Sequence, residues 1–371
     1  MTFPGHAGLQ LLHVCPFYEP AWGYGGMARA TTQQCEALAR RGHDVTVITS
    51  LLDPSHPARE RRGGVDVHRL DGPGALRGRL VPGARGAGAL VASLAEGAQL
   101  AHLHGTRSVL VLAAASGLRR TGKSWVTQPH GTWPHHGRHR LAKAVVDRLG
   151  GRRVVGEAAA VIAVSRAEAA ELPAPARVIP NGVCQPASGQ GPQRAGRLLF
   201  VGSDHPQKRV GMLGDLLRAL PRAHLALAGR FGERFLEALR RLGPRVEVLG
   251  VLDPAALAGE YRAASLVVHP AVGEAFGLVP FEAALAGTPA VVAGGHGCGE
   301  WFGAAGGCVV PPDDPGELTR AVAARLAHPE IGLAEAGRVA DFARRELTWE
   351  RNAEQLEQLY RELLGGKWVR P

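Results

Sequence analysis

The chain has 371 residues, 45% hydrophobic and 20% charged, which suits a globular protein of two ordinary domains with ample core. No run of 18 apolar residues occurs, and the opening MTFPGHAG lacks a basic and apolar leader, so neither a membrane-spanning helix nor a secretory signal is expected. Five cysteines, odd in number and without a C-x-x-C pair, argue against a disulfide framework or a zinc site and for a reducing, cytoplasmic compartment.

The net charge of +10 is unevenly placed. Residues 1–190 hold 22 basic and 12 acidic side chains, and the rest balances at 21 of each. Such asymmetry suggests that the first half meets an anionic surface. No nucleic-acid recognition motif is present, and aromatic residues make up only 5%, which is thin for base stacking. Peripheral contact with an anionic membrane on its cytoplasmic face fits better.

In chain order, 9–15 reads as a first buried strand. A loop ending in Gly25-Gly26 leads to a helix over about 27–41 and a strand over 44–49. The glycine pair is either a plain turn or a place where backbone approaches a phosphate; it is not the G-x-G-x-x-G dinucleotide pattern. Stretches 53–62 and 71–88, rich in Pro, Gly and Arg, read as loops. His102 and His104 lie on a strand over 99–104 and read as structural residues. Gly117 to Ser124 matches G-x-x-x-x-G-K-[ST], but a helix precedes it and a strand follows it. A P-loop needs the reverse order, so Gly122 reads as a helix C-terminal turn.

His130, in Pro129-His130-Gly131, sits at the carboxyl end of the strand over 125–128, where an open sheet presents functional side chains. Residues 135–155 carry six Arg or Lys and one Asp, with Leu141, Ala144, Val145 and Leu149 at helical spacing. That basic amphipathic helix can lie on an anionic bilayer or dock its apolar face on its own domain. His135, His136 and His139 cluster without a carboxylate or Cys partner, so no metal is expected there. Ser165 and Glu168 form a helix capping box. Residues 184–196 read as a linker between domains.

The second half opens with a strand over 197–202, ending at Gly202, then a loop over 203–209 and a helix to about Leu220, with Lys208-Arg209 at its start. Cations at a helix start are unfavourable unless an anion sits there, so these two side chains suggest a diphosphate clamp. Alternating strands and helices continue to 265–293, which reads as strand, loop, helix, strand. Its loop holds Glu274, and its helix holds Glu282. The amides of Phe276, Gly277 and Leu278 fall at the helix start, where N–H groups lack partners. Two carboxylates flanking such a terminus suit a nucleotide sugar, anionic at one point and rich in hydroxyls elsewhere. Residues 294–299 read as a flexible loop.

Glu274-Ala-Phe-Gly-Leu-Val-Pro-Phe-Glu282 and the following Ala283-Ala-Leu-Ala-Gly-Thr-Pro289 resemble the E-x7-E signature of retaining, GT-B-fold glycosyltransferases of family 4. The resemblance extends to Arg177-Val-Ile-Pro-Asn-Gly-Val183 and covers nearly the whole chain. It implies an α/β fold of GT-B type, two doubly wound Rossmann-like domains facing across a cleft. The expected division is an acceptor-side domain over 1–183, a linker over 184–196, a donor domain over 197–347, and a last helix in 348–371 crossing back to the first domain.

By the same resemblance, Glu274 contacts the donor sugar, Glu282 the ribose and Lys208 the diphosphate. His130 acts on the sugar or phosphate from the first domain, and Gly25 and Gly26 face the diphosphate. The family's Arg after the glycine is Ser203 here, so one expected cation is missing; Arg209 or Arg230 could replace it. The implied reaction moves a hexose-type sugar from a nucleoside diphosphate donor to a glycan or lipid-linked hydroxyl, with retention, in cell-surface polysaccharide or glycolipid synthesis. No D-x-D occurs, so no metal or other cofactor is expected. A nucleotide-sugar epimerase of the same fold and a non-catalytic sugar-nucleotide or membrane-binding protein stand as alternatives.

Overall fold

The computed structural model describes residues 8–20, 25–71, 86–133, 140–187 and 194–367. They fall into two compact units: residues up to 182 together with those from 349 onward, and residues 183–348. The chain therefore changes unit between Gly182 and Val183, and again between Thr348 and Trp349.

In the first unit an eight-stranded sheet runs β3(Arg59–Arg62), β4(Val65–Leu70), β2(Asp44–Ser50), β1(Gln10–Val14), β5(Leu100–His104), β6(Trp125–Gln128), β7(Ala160–Ala163), β8(Arg177–Val178). All neighbours are parallel except β3 and β4, so 59–62, expected as loop, is an antiparallel edge strand. Inner strands such as β5 and β6 are buried along their length, as a sheet covered on both faces requires. Helices α1(Gly26–Arg40), α2(Ala87–Gly97) and α3(Val109–Arg120) carry the crossovers. A core of Leu12, Val14, Val91, Leu103, Leu110, Val111 and Leu118 fills the space between α2, α3 and the sheet. The helix α3 precedes β6 and Gly122 turns at φ +66°, so the P-loop look-alike lies in a helix-to-strand turn, as its order in the chain required.

After β6, α4(Arg140–Val146) runs into a π-helical turn at Asp147–Gly151 and α5(Arg152–Gly156); α6(Arg166–Glu171) follows β7. Residues 134–139, with His135, His136 and His139, lie outside the described residues.

The second unit has a parallel sheet ordered β11(Val246–Gly250), β10(His224–Arg230), β9(Arg197–Ser203), β12(Leu266–His269), β13(Ala290–Ala293), β14(Cys308–Val310). Chain order reverses between β9 and β12, as it does between β1 and β5 in the first unit. Such switch points open a crevice beyond the carboxyl ends of the strands. Helices α7(Gly211–Ala219), α8(Glu233–Arg240), α9(Pro254–Ala263), α10(Leu278–Leu285), α11(Gly297–Ala304), α12(Pro315–Ala327) and α13(Pro329–Glu346) cover the sheet. Residues 297–299, expected as a flexible loop, are the first turn of α11.

The last helix, α14(Trp349–Leu364), belongs to the first unit. It is fixed there by Asn352, which accepts from Gln34 (3.2 Å) and donates to the Pro180 carbonyl (2.7 Å). Arg41 adds an ion pair to Glu357 (2.7 Å). Buried Tyr360 reaches His102 at 2.6 Å. Among the described residues no helix is long and apolar enough to cross a membrane.

Candidate functional site

In the second unit the loops leaving β9 and β12 meet through one ion pair. The Lys208 ammonium donates to Glu274 Oε1. Each side chain is about a fifth exposed, at 23% and 21%. Burial alone would raise the Glu274 pKa, but the Lys208 charge beside it, with His269 nearby, outweighs burial and holds the carboxyl at about 2.

The expected loop over 203–209 contains a 3-10 turn over Pro206–Lys208, with Arg209 left-handed at φ +47°, and α7 begins at Gly211. Pro206 favours that turn, and the His205 side chain caps it. The Lys208 charge is therefore answered by Glu274 rather than placed against a helix terminus. Arg209 turns the other way, donating to the Pro312 carbonyl and pairing with Asp313.

The helix start expected at Phe276–Leu278 is present. Gly277, at φ +75° and ψ +87°, is the N-cap of α10 and lends no side-chain cap. A Cβ at Gly277 would stand 2.5 Å from Cys298 Sγ, so only glycine fits. Cys298 also donates its backbone N–H to the Glu274 carbonyl (3.1 Å), tying the loop to α11. Phe276 is buried and stacks on Phe281.

Glu282 is 3% exposed and accepts from the Tyr261 hydroxyl at 2.9 Å, while Thr288 bonds the Tyr261 carbonyl at 2.6 Å. The two glutamates of E-x7-E thus occupy different surroundings: Glu274 at the loop surface with a cation, Glu282 inside on a phenol.

Gly202 lies near the end of β9, and Gly229 beside it on β10 approaches so closely that a Cβ would fall 1.7 Å from the Gly202 carbonyl. Ser203 ends β9 and stands in register with Arg230 of β10, an exposed side chain. Sequence reasoning missed His269 and His296, both buried beside Glu274. The signal for His269 was its position as the last residue of β12. His296 lay in the glycine-rich run that was expected to be loop.

In the first unit, Gly25 (φ +83°) is the N-cap of α1 and Gly26 its first residue, both exposed. His130 adopts a left-handed φ of +54°, a conformation non-glycine residues enter only when neighbours impose it. The residue after His130 is held by Glu168. One of its oxygens accepts from the Gly131 N–H (2.5 Å) and the other from the Val164 N–H (2.7 Å). Capping therefore accounts for Ser165, which accepts from the Glu168 N–H, while the Glu168 carboxylate reaches across to the His130 loop. Burial raises the Glu168 carboxyl to about 6, against the pull of its two backbone donors.

His102 and His104, read as structural, pack with His13 behind His130. His13 and His104 are 3.0 Å apart between ring nitrogens, as are His104 and His130. Burial lowers the pKa to about 3 for His13 and about 4 for His130, and well below the usual range for His102 and His104, so all four rings are neutral at pH 7. His13, His102 and His104 each bring a ring nitrogen to within 4.8 Å of the others.

Along α4 and the π-helical turn, Leu141, Val145 and Leu149 are 85%, 56% and 73% exposed. Their neighbours Arg148, Arg152 and Arg153 are exposed as well. Asp147, the only acid there, is turned inward on a bidentate pair with Arg107 at 2.8 Å. Among the described residues, these three apolar side chains are not docked on their own unit.

Residues 25–182 match the family described as glycosyl transferase 4-like domain, and residues 195–328 match glycosyl transferases group 1. A D-inositol 3-phosphate glycosyltransferase of Geodermatophilus obscurus is 30% identical, over 94% of this chain and 87% of the relative. One from Kineococcus radiotolerans is 31% identical, over 94% and 93%. Among solved structures, the sucrose-phosphate synthase of Thermosynechococcus elongatus superposes with a TM-score of 0.81 at 24% identity, covering 96% of this chain and all of that one. Anabaena HepE in complex with UDP-glucose gives 0.73 at 20% identity, covering 95% and 99%. These structures share the GT-B fold.

Proposed function

Because the chain belongs to the group 1, family 4-type glycosyltransferases of GT-B fold, we propose that it moves a hexose-type sugar from a nucleoside diphosphate donor to an acceptor hydroxyl, with retention. The observation that carries this reading is the Lys208–Glu274 pair at the switch point of the second sheet. It holds a cation and an ionised carboxylate side by side where the loops leave the strands, beside the α10 N-terminus. A diphosphate would take Lys208 from Glu274, freeing that carboxylate for sugar hydroxyls.

Arg230 supplies the cation that Ser203 lacks, since Arg209 is engaged with Asp313. Glu282 orders the ribose end through its buried place on Tyr261. In the first unit His130 meets a substrate oxygen. Cations, amides and helix N-termini stabilise the leaving diphosphate, which takes the acceptor proton, without a metal or a protein nucleophile.

For the acceptor, the exposed Leu141, Val145 and Leu149 stripe with its arginines favours a lipid-linked glycan at an anionic membrane surface. The names of the relatives favour a second reading, a phosphorylated cyclitol.

Thermal stabilisation by UDP-, GDP-, ADP- and TDP-sugars, with and without EDTA, tests the donor. One nucleotide should shift the midpoint independently of EDTA, and the shift should be lost in Glu282→Ala. Turnover with a polyprenyl-linked glycan against inositol phosphate then separates the acceptors. No shift with any donor, or a Glu274→Ala protein at wild-type rate, overturns the site.

A further inference from the structure

Four histidines meet at the carboxyl ends of β1, β5 and β6, and three of them form a hydrogen-bonded chain. His13 Nδ1 lies 3.0 Å from His104 Nε2, and His104 Nδ1 lies 3.0 Å from His130 Nε2. A neutral imidazole has one N–H and one lone pair. His104 uses both nitrogens, so it donates at one and accepts at the other, and the chain can run in only two directions.

Running inward, His130 donates to His104 and His104 donates to His13, which leaves the His13 proton on Nε2. Running outward, His13 donates from Nδ1 to His104, and His104 donates from Nδ1 to His130 Nε2, which leaves the His130 proton on Nδ1. The ends of the chain decide. Among the described residues, His13 Nε2 is buried with no hydrogen-bond partner, as is His102 Nε2. The buried Tyr360 hydroxyl lies 2.6 Å from His102 Nδ1, a contact that is the same for either direction of the chain. Inward polarity would bury an unmatched N–H at His13 Nε2. Outward polarity leaves only a lone pair there, the smaller mismatch, because orphaned buried N–H groups are rarer than under-satisfied acceptors.

We propose that His13 and His104 are positioning residues that fix His130 as the neutral Nδ1–H tautomer, so that it meets a substrate oxygen as a hydrogen-bond donor and not as a base. This rests on the reading that His130 touches substrate. Protonating His130 would set its new Nε2–H against His104 Nδ1–H, and relieving that contact would require reversing the whole chain. The other ionisable groups around it are His102 and Glu168, the latter bonded to the Gly131 N–H. A metal ion at His13, His102 and His104 is the competing use of the cluster. It would have to break a bond at His104, both of whose nitrogens are taken.

The test is nitrogen NMR of the ¹⁵N-histidine-labelled full chain, beside kinetics. Wild type should show His130 protonated at Nδ1 and bare at Nε2 through neutral pH. His104→Asn, which offers an amide N–H in place of Nδ1–H, should keep that tautomer and most of the turnover. His104→Phe should mix the tautomers, move the acid limb of the pH profile upward and lower kcat about tenfold with KM little changed. A wild-type His130 protonated at Nε2 overturns the proposal even if no variant folds. So does His104→Phe with an unchanged tautomer and pH profile, or stoichiometric Zn²⁺ uptake that His104→Asn abolishes. A fully active His130→Ala would instead sink the assignment of His130 to the substrate and leave the tautomer standing.

Discussion

Arg230, the last residue of β10, stands in register with Ser203, the last residue of β9. Adjacent parallel strands lie about 4.8 Å apart, and residues in register project to the same face. A guanidinium on β10 can therefore serve the place where the family carries an arginine on β9. Arg230→Ala should weaken donor binding by tenfold or more, in line with about 1.5–3 kcal/mol for a charged hydrogen bond. Adding Ser203→Arg should restore it. Calorimetric titration with the donor identified by thermal shift decides this, and a larger loss in Arg209→Ala than in Arg230→Ala would reassign the cation.

The Lys208–Glu274 pair links donor site to stability. The Glu274 pKa is depressed, so its contribution is complete above the unfolded value of 4.5 and is lost as pH falls toward 2. Lys208→Met should destabilise the protein at pH 7, and the difference from wild type should shrink below pH 4. Urea titrations at pH 7 and pH 3 check the sign.

The buried histidines act in a higher window. His13, His130 and His269 have pKa values lowered to about 3, 4 and 3, against 6.5 when unfolded. Below pH 6.5 the unfolded chain takes up protons that the folded one refuses, so stability falls as pH drops from 7 toward 4. Each such group adds a slope of about 1.4 kcal/mol per pH unit in that range. Calorimetry at pH 7 and pH 5 should show a clear drop in Tm, reduced in His269→Phe.

Gly277→Ala should damage the donor loop. The backbone is left-handed there and the new methyl would meet Cys298 Sγ. A penalty of about 1–2 kcal/mol is expected from the backbone alone, with further loss from the clash. Adding Cys298→Ala should recover the second part and not the first. Tm of the single and double variants measures both.

Leu149→Glu should abolish sedimentation with anionic vesicles while changing stability by no more than about 0.5 kcal/mol, as for other exposed positions. Vesicle binding equal to wild type would remove the membrane from the acceptor reading.

The alternation of strands and helices, the E-x7-E spacing and the false P-loop were legible in the chain, because strand runs, glycine turns and element order are local properties. The sequence alone also placed Glu274, Gly277 and Lys208 in loops at strand ends and pointed to the family. It could not show that Lys208 closes a 3-10 turn on Glu274, 66 residues away. Nor could it show that Glu282 is buried on Tyr261, or that Arg230 neighbours Ser203. His104 read as a structural residue, and His13, 91 positions away, was only part of the first strand. Only the register of β1 against β5, and the turn after β6 held by Glu168, brought them into one chain with His130. Hydrogen-bond partners are chosen by sheet order and strand register, and those are settled by packing the whole core.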